Sequence, residues 1–301
     1  MRLDNFDLNL LVAFDALLTE RNVTRAARRL NVTQSAMSAS LKRLRDALGD
    51  PIMVQHGRSM VPTPHALALA PEVAHAIATL RSLISAGTAF DPATSDRRFK
   101  IAASDYITTV LLVPLLRSLE HEAPFVRLDV TLPSDATSAR LANGDYDLIL
   151  TPEEFADANH PTELLFEERH VVVACARNPQ LCERLTRDQF CRAGHVAVLI
   201  DGHNTFIEDA LDSLGIARRI EVRAPSFIQV PWLLPGTHRI ALMHERLARL
   251  MAPGLHLKVM DPPFPLPMMR EVLQFHSSRQ KDAGLSWLRT RLRDLATRTF
   301  R

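Results

Sequence analysis

The apolar positions of the first 86 residues fall into helical rows. Leu8, Leu10, Leu11, Phe14, Leu17 and Leu18 make one face of a first helix. Two shorter rows follow between Val23 and Leu48: Ala26, Ala27 and Leu30, then Ala36, Met37, Leu41, Leu44 and Leu48. Thr24 and Thr33 are placed to cap these two helices. Asn31 stands where the chain must turn sharply, and Asn tolerates the left-handed conformation better than most residues. Val32 is placed to fill the inside of that turn, and Gly49 with Asp50-Pro51 ends the second helix. Ile52 to Val54 and Met60-Val61 read as short strands around a His56-Gly57-Arg58 tip, a small wing. From Pro64 on, Ala66, Ala70, Val73, Ile77, Leu80 and Ile84 recur at spacings of 4, 3, 4, 3 and 4. That is the seam of a helix lying along a partner helix, with Pro71 as a predicted kink. Ser85 to Arg97 reads as a linker.

The period changes after the linker. FKIAAS from Phe99, VRLDVTLP, YDLILT, RHVVVACA, HVAVLI, RIEVRA, RIALM, LKVM and REVLQFH read as strands. Helical patterns lie between several of them, at Asp105 to His121 and Ser134 to Ala142, and a last one runs from Lys281 to Thr297. This alternation predicts an α/β architecture with largely parallel sheets, in which ligands bind outside the carboxyl ends of strands.

Charge gives the first part of the chain its chemistry. Seven basic residues and no acidic one lie between Arg21 and Arg45, although the 301-residue chain carries a net charge of only +2. A tight turn between two short helices, with small polar residues opening the second, is the helix-turn-helix pattern whose second helix enters the DNA major groove. Thr33, Gln34, Ser35 and Ser38 form its leading edge, with Gln34, Ser35 and Ser38 placed to touch bases. Lys42, Arg43 and Arg58 are placed to meet phosphates, and Arg45 is left for the outside of the helix. The plainer reading is a helical hairpin with a solvated basic face; the caps, the Asn turn and the polar leading edge favour DNA.

Other classes lose ground. No run of eighteen apolar residues and no basic-then-apolar leader occur, so neither a membrane partner nor secretion is expected. Cys175, Cys182 and Cys191 are odd in number and lack C-x-x-C spacing, which fits the cytoplasm and predicts no metal site. G-x-S-x-G, G-x-G-x-x-G, phosphate-loop and H-E-x-x-H motifs are missing, so neither a catalytic residue nor a cofactor is expected. Strand ends and helix starts supply the candidate ligand contacts. These are Ser104, Asp105 and Thr108; Ser134 and Thr137; Thr151; and His203, Asn204 and Thr205, whose backbone N–H groups suit a carboxylate. Phe206 and Phe227 are candidates to stack on an aromatic ring. Against this, strand-end hydroxyls commonly cap helices.

The segments DLNLLVAFDALL, VTRAARRLNVTQSAMSASLKRLRDALGDPIMV and GRSMVPTPHA, with the helix that follows, resemble the winged helix-turn-helix of LysR-type transcriptional regulators. The DLNLL opening and the P-T-P-x-A segment resemble the branch that regulates nodulation and aromatic-compound degradation. Met53 and Gln55 stand where that family usually has Phe and Arg, and His244 where it often has Pro. Pro231 and Pro235 fall in a stretch that is helical in relatives and predict a short or kinked helix there.

The resemblance implies a winged helix-turn-helix at 1–63, a linker and dimerisation helix with its hinge at 64–96, and a two-lobed effector domain at 97–301, similar to periplasmic binding proteins. Lobe one would hold 97–164 and 270–301, and lobe two 165–269. It implies a homodimer or homotetramer on a partly palindromic promoter site of double-stranded DNA, with RNA polymerase as a candidate partner. His170 matches the position of a histidine in regulators of aromatic degradation, and His203 matches a second to within a residue, which points to a small aromatic or phenolic effector. The competing readings are a DNA-binding repressor or architectural protein with no effector, and an enzyme carrying a DNA-binding module.

Overall fold

The computed structural model describes residues 6–56, 59–86, 90–179 and 184–299. The chain divides into two compact units, one holding residues 1–88 and the other nearly all of 89–301.

In the first unit, α1 (Asn9–Glu20), α2 (Val23–Arg29) and α3 (Gln34–Leu48) pack around Leu10, Phe14, Leu17, Ala26, Ala27, Met37, Leu41 and Leu44. Asn31 takes the left-handed conformation, with φ 55°, and Gly49 closes α3 at φ 65°. Strands β1 (Met53–His56) and β2 (Ser59–Pro62) pair antiparallel as the wing. Helix α4 (Pro64–Ala86) runs through Pro71, and its first turns join the same core through Ala66, Leu69, Ala70 and Val73. Two local expectations fail. Asn22, not Thr24, caps α2: its backbone is extended and its side chain accepts the Arg25 amide at 2.9 Å, which leaves Thr24 inside the helix. Val32 is exposed rather than tucked into the turn.

The second unit has two lobes. Lobe one starts with β3 (Arg98–Ala103) and a helical stretch in which a π-turn at Thr108–Leu112 joins α5 (Asp105–Ile107) to α6 (Val113–Glu122). It continues through β4 (Arg127–Thr131), α7 (Thr137–Ala142), β5 (Leu148–Pro152) and β6 (Thr162–Glu168). Lobe two contains β7 (His170–Cys175), α8 (Arg187–Arg192), β8 (Gly194–Ile200), β9 (His203–Asn204) and α9 (Phe206–Ser213). It closes with β10 (Arg219–Ala224), a 3-10 turn at Val230–Leu233, β11 (Ile240–His244), α10 (Glu245–Met251) and β12 (Leu257–Met260). The chain then returns to lobe one as β13 (Met269–Gln274) and α11 (Ala283–Thr299). The stretch with Pro231 and Pro235 is thus reduced to a single 3-10 turn: Pro231 fits its first turn, and Pro235 has no N–H with which to extend it.

The sheet orders are β4-β3-β5-β13-β6 and β10-β8-β11-β7-β12, with β9 alongside β8. The expectation of largely parallel sheets is corrected. Pairs among β3, β4 and β5 and among β8, β10 and β11 are parallel, but β13 and β7 run antiparallel to both their neighbours. The chain crosses between lobes twice, and the first strand after each crossing, β7 and then β13, runs against the rest of its sheet. The lobe boundary at 164/165 is corrected too, because it would cut β6: the whole of Thr162–Glu168 stays in the first sheet, and only Arg169 separates it from β7. The return crossing contains Pro262, Pro263, Pro265 and Pro267, which favour extended backbone.

Candidate functional site

The first candidate surface is on α3. Thr33 caps it by accepting the Ala36 amide at 3.2 Å. Burial of Met37, Leu41 and Leu44 turns the opposite face out, so Gln34, Ser35, Ser38, Lys42 and Arg43 are all exposed. Ala36, expected on the apolar face, is exposed with them. Arg43 forms an ion pair with Asp7 at 3.0 Å, a contact a phosphate would have to replace or share. Arg45 is exposed as its spacing suggests, and it also has acceptors within the unit. Its guanidinium donates to the carbonyls of Pro51 (2.8 Å) and Met53 (3.1 Å), tying the end of α3 to the start of the wing. Ile52, between those carbonyls, holds φ at 60°, which is rare for a β-branched residue. It is kept there by full burial and by Asp50, whose carboxylate accepts the Ile52 amide at 2.7 Å and the Thr63 hydroxyl at 2.6 Å. Arg58, the proposed wing-tip contact, lies outside the described residues.

The second candidate is a cavity of about 300 Å³ between the lobes of the second unit. Ser104, Thr151, His170, His203, Asn204, Phe206 and Phe227 all line it, as do Ser134, Thr137 and Thr205. Asp105 and Thr108 do not. Thr108 is drawn into the π-turn, and the Asp105 carboxylate reaches the neighbouring loop instead. Several lining residues also do structural work. Ser104 caps α5 by accepting the Ile107 amide, and the Asn204 amide donates to Asp212. At the exposed rim, His203 of lobe two pairs with Asp135 of lobe one at 3.0 Å.

The cavity floor was not legible from the sequence. Antiparallel register sets His244 of β11 directly beside His170 of β7, with ring centroids 4.8 Å apart. Tyr106 reaches over from lobe one and stacks on His244 at 3.7 Å, the ring planes nearly parallel. Phe227 meets His244 edge-on at 4.7 Å, and Phe206 stacks on His170 at 5.8 Å. Below the rings, Tyr106 donates its hydroxyl to Glu168 at 2.6 Å, and the Arg246 guanidinium binds the same carboxylate. Burial lowers His170 to about 3, and burial with the neighbouring His170 holds His244 well below the ordinary imidazole range, so both are neutral near pH 7. Burial, then Glu168 and Glu154, raises Glu271 to about 8, so it is a protonated hydrogen-bond donor near pH 7. The Nδ1 atoms of His170 and His244 and the Thr205 hydroxyl are buried without a hydrogen-bond partner. Thr205 precedes α9 yet does not cap it with its side chain.

Charge completes the picture. Asp135, Asp201 and Glu271 are among the lining residues, and among the described residues no Lys or Arg lines the cavity. The signals missed were Tyr106, one residue beyond a named candidate; His244, noted only as a departure from a pattern; and Glu168 and Glu271, charges inside apolar strand runs.

Residues 8–67 match the model of the bacterial regulatory helix-turn-helix protein, lysR family, and residues 93–297 match the LysR substrate binding domain. The chain belongs to the LysR family. Curated relatives include nodulation protein D of Rhizobium leguminosarum bv. trifolii, 39% identical over 99% of this chain and 94% of its own length. Nodulation protein D 2 of Bradyrhizobium diazoefficiens is 40% identical over 99% of this chain and 91% of its own. Among solved structures, a probable transcriptional regulator from Pseudomonas aeruginosa is 31% identical, with a TM-score of 0.65 over 97% of this chain and 98% of that one. Full-length OxyR from the same organism, in a variant form, shares the fold at a TM-score of 0.73 and 19% identity, covering 96% of this chain and 95% of that one. This LysR-type protein is therefore a transcriptional regulator and not an enzyme, with a helix-turn-helix domain and a substrate-binding domain. No helix among its described residues is long and apolar enough to cross a membrane.

Proposed function

We propose that this LysR-type regulator is switched by an uncharged aromatic effector carrying hydrogen-bonding groups, of which phenols are the simplest class. The observation that carries this reading is the cavity lining: aromatic faces over neutral imidazoles and a protonated carboxyl, with carboxylates at hand and no cationic side chain among the described residues. A carboxylate effector would meet Asp135 and Asp201 with no Arg or Lys to pair it. A phenol's hydroxyl can both donate and accept, which suits the unpartnered His170, His244 and Thr205 atoms. The effector must bind two lobe arrangements unequally to act as a switch. The reading includes a cytoplasmic homodimer or homotetramer, paired through α4, on a partly palindromic promoter site.

Footprinting on the gene's own upstream region tests this. Neutral phenols are expected to alter the footprint or the DNA bend, and benzoate-like acids to leave both unchanged. If acids act and phenols do not, the charge argument fails. If no small molecule acts, the repressor or architectural reading takes its place.

The α3 face carries the DNA half of the proposal, with Gln34, Ser35 and Ser38 toward bases, Thr33 at the leading edge beside them, and Lys42 and Arg43 toward phosphates. Gln34→Ala is expected to cost about 1–3 kcal/mol on the preferred site and to relax base preference there. Arg43→Ala is expected to weaken all sequences alike and flatten the salt dependence. Titrations at several salt concentrations separate the two; an unchanged salt slope with altered base preference in Arg43→Ala would exchange the roles.

A further inference from the structure

Asp105 stands first in α5, beside the cavity but outside its lining. Its carboxylate crosses from lobe one to the loop that follows β10 in lobe two. One oxygen accepts the Phe227 amide at 3.3 Å; the other accepts the Ile228 amide at 3.2 Å and the Ser226 hydroxyl. The amides of this loop thus find their acceptor in the opposite lobe. Its central side chain, Phe227, is a cavity wall, set edge-on to Tyr106 at 6.3 Å and to His244 at 4.7 Å. The next residue after Asp105 is Tyr106, which stacks on His244. Two consecutive lobe-one residues therefore hold lobe two at the same place, one by its backbone amides and one by a ring.

We propose that Asp105 is a positioning residue that latches loop 226–228 to lobe one and so sets Phe227 as a wall of the effector cavity. Closing the lobes around a ligand requires the three hydrogen bonds to form, and opening them frees the loop and the ring together. Asp105 thereby couples occupancy under Phe227 to the lobe arrangement without touching the ligand. The consequence for ligand binding rests on the effector reading above; the latch itself does not.

The test uses the full chain. Asp105→Ala is expected to speed amide hydrogen exchange at Phe227 and Ile228 by about ten- to hundredfold while β8 and β11 stay as protected as before. Ser226→Ala, which removes one bond, is expected to shift the same amides in the same direction by less. With 4-methylphenol as probe, Asp105→Ala and Phe227→Ala are each expected to weaken binding about tenfold or more, and the double variant to lose no more than the worse single. A purely structural Asp105 would lower protection across lobe two and give additive losses. Unchanged exchange at Phe227 and Ile228 in both latch variants, or additive losses of probe affinity, overturns the proposal. If exchange responds as expected while the wild-type protein binds no phenol, the latch stands and the effector reading falls.

Discussion

Asp282→Ala is expected to destabilise the effector-binding unit by about 3–5 kcal/mol, the usual cost of removing one partner from a buried ionic cluster. Asp282 is fully buried at the head of α11. Arg97 grips it with both Nη atoms, at 2.6 and 2.7 Å, and Arg279 donates to it at 2.7 Å. The same carboxylate accepts the Leu285 amide at 3.0 Å, so it also caps the helix. Its loss would leave Arg97 and Arg279 with Asp147 as the remaining carboxylate of the cluster. Gly284 shows how tightly the cluster is closed: a Cβ there would come within 2.4 Å of the Arg97 guanidinium. Burial pushes the Asp282 carboxyl up, but its bonds to Arg97 and Arg279 outweigh that and hold it well below the usual carboxylate range. A depressed folded-state value adds stability above the unfolded value and loses it as pH falls toward the folded one. Urea titrations should therefore give a constant difference between wild type and variant near neutral pH, shrinking below about pH 4. A difference under about 1 kcal/mol at pH 7 would mean that the cluster tolerates the vacancy.

Glu271→Gln should act in the opposite sense, stabilising the protein by about 3 kcal/mol at pH 7. Glu271 is buried in β13, and its carboxyl is raised to about 8 from an ordinary value of 4.5. Between those values the folded protein holds a proton that the unfolded chain has released. The contribution of Glu271 to stability therefore falls as pH rises through this window and levels off above about 8, whereas Gln has no proton to lose. The histidines cancel when the two proteins are compared. His170, His195 and His244 all have lowered values, so each adds the same opposite slope to both curves for as long as its unfolded imidazole is still partly protonated. The expected record is a gap between Glu271→Gln and wild type that widens by about 1.4 kcal/mol per pH unit between about pH 5.5 and 7 and levels off as pH passes about 8. Parallel curves for the two proteins would show that Glu271 is already ionised when folded. A buried acid kept at such a cost beside a cavity is the pattern of a functional site; here it supplies a donor without adding charge.

The DNA-binding unit was largely readable because its signals are local. Cap, turn and stop residues act within four positions of themselves, and Thr33, Asn31 and Gly49 each do what their chemistry predicts. Errors arose where two residues could serve equally. Asn22 and Thr24 are both good caps, and the extended backbone at Asn22 decides between them. Arg45 is exposed as its spacing predicts, but its acceptors were not legible, since they exist only once the wing has folded back against α3. In the effector-binding unit most strands were readable from their apolar runs, but β6 and β9 were not. β6 carries Glu163, Glu167 and Glu168 among its seven residues, which breaks the alternation. β9 is two residues long.

By itself, the sequence determined a helix-turn-helix with a basic outer face, a wing, a long apolar-seamed helix and an α/β half. It also pointed to a ring of polar residues at strand ends, most of which do line one cavity. Those features follow from hydrophobic period, capping and turn chemistry, which depend on neighbours in the chain. Only the tertiary structure decided the chemistry of the cavity floor. Tyr106, Glu168, His170, His244 and Glu271 come from four strands and one helix, and their meeting depends on register and on the chain crossing twice between lobes. Burial there, rather than residue type, makes the imidazoles neutral and keeps Glu271 protonated. The same packing moves Asp105 from ligand contact to lobe contact, because its donors there are a hydroxyl and two amides 121 to 123 residues away in sequence.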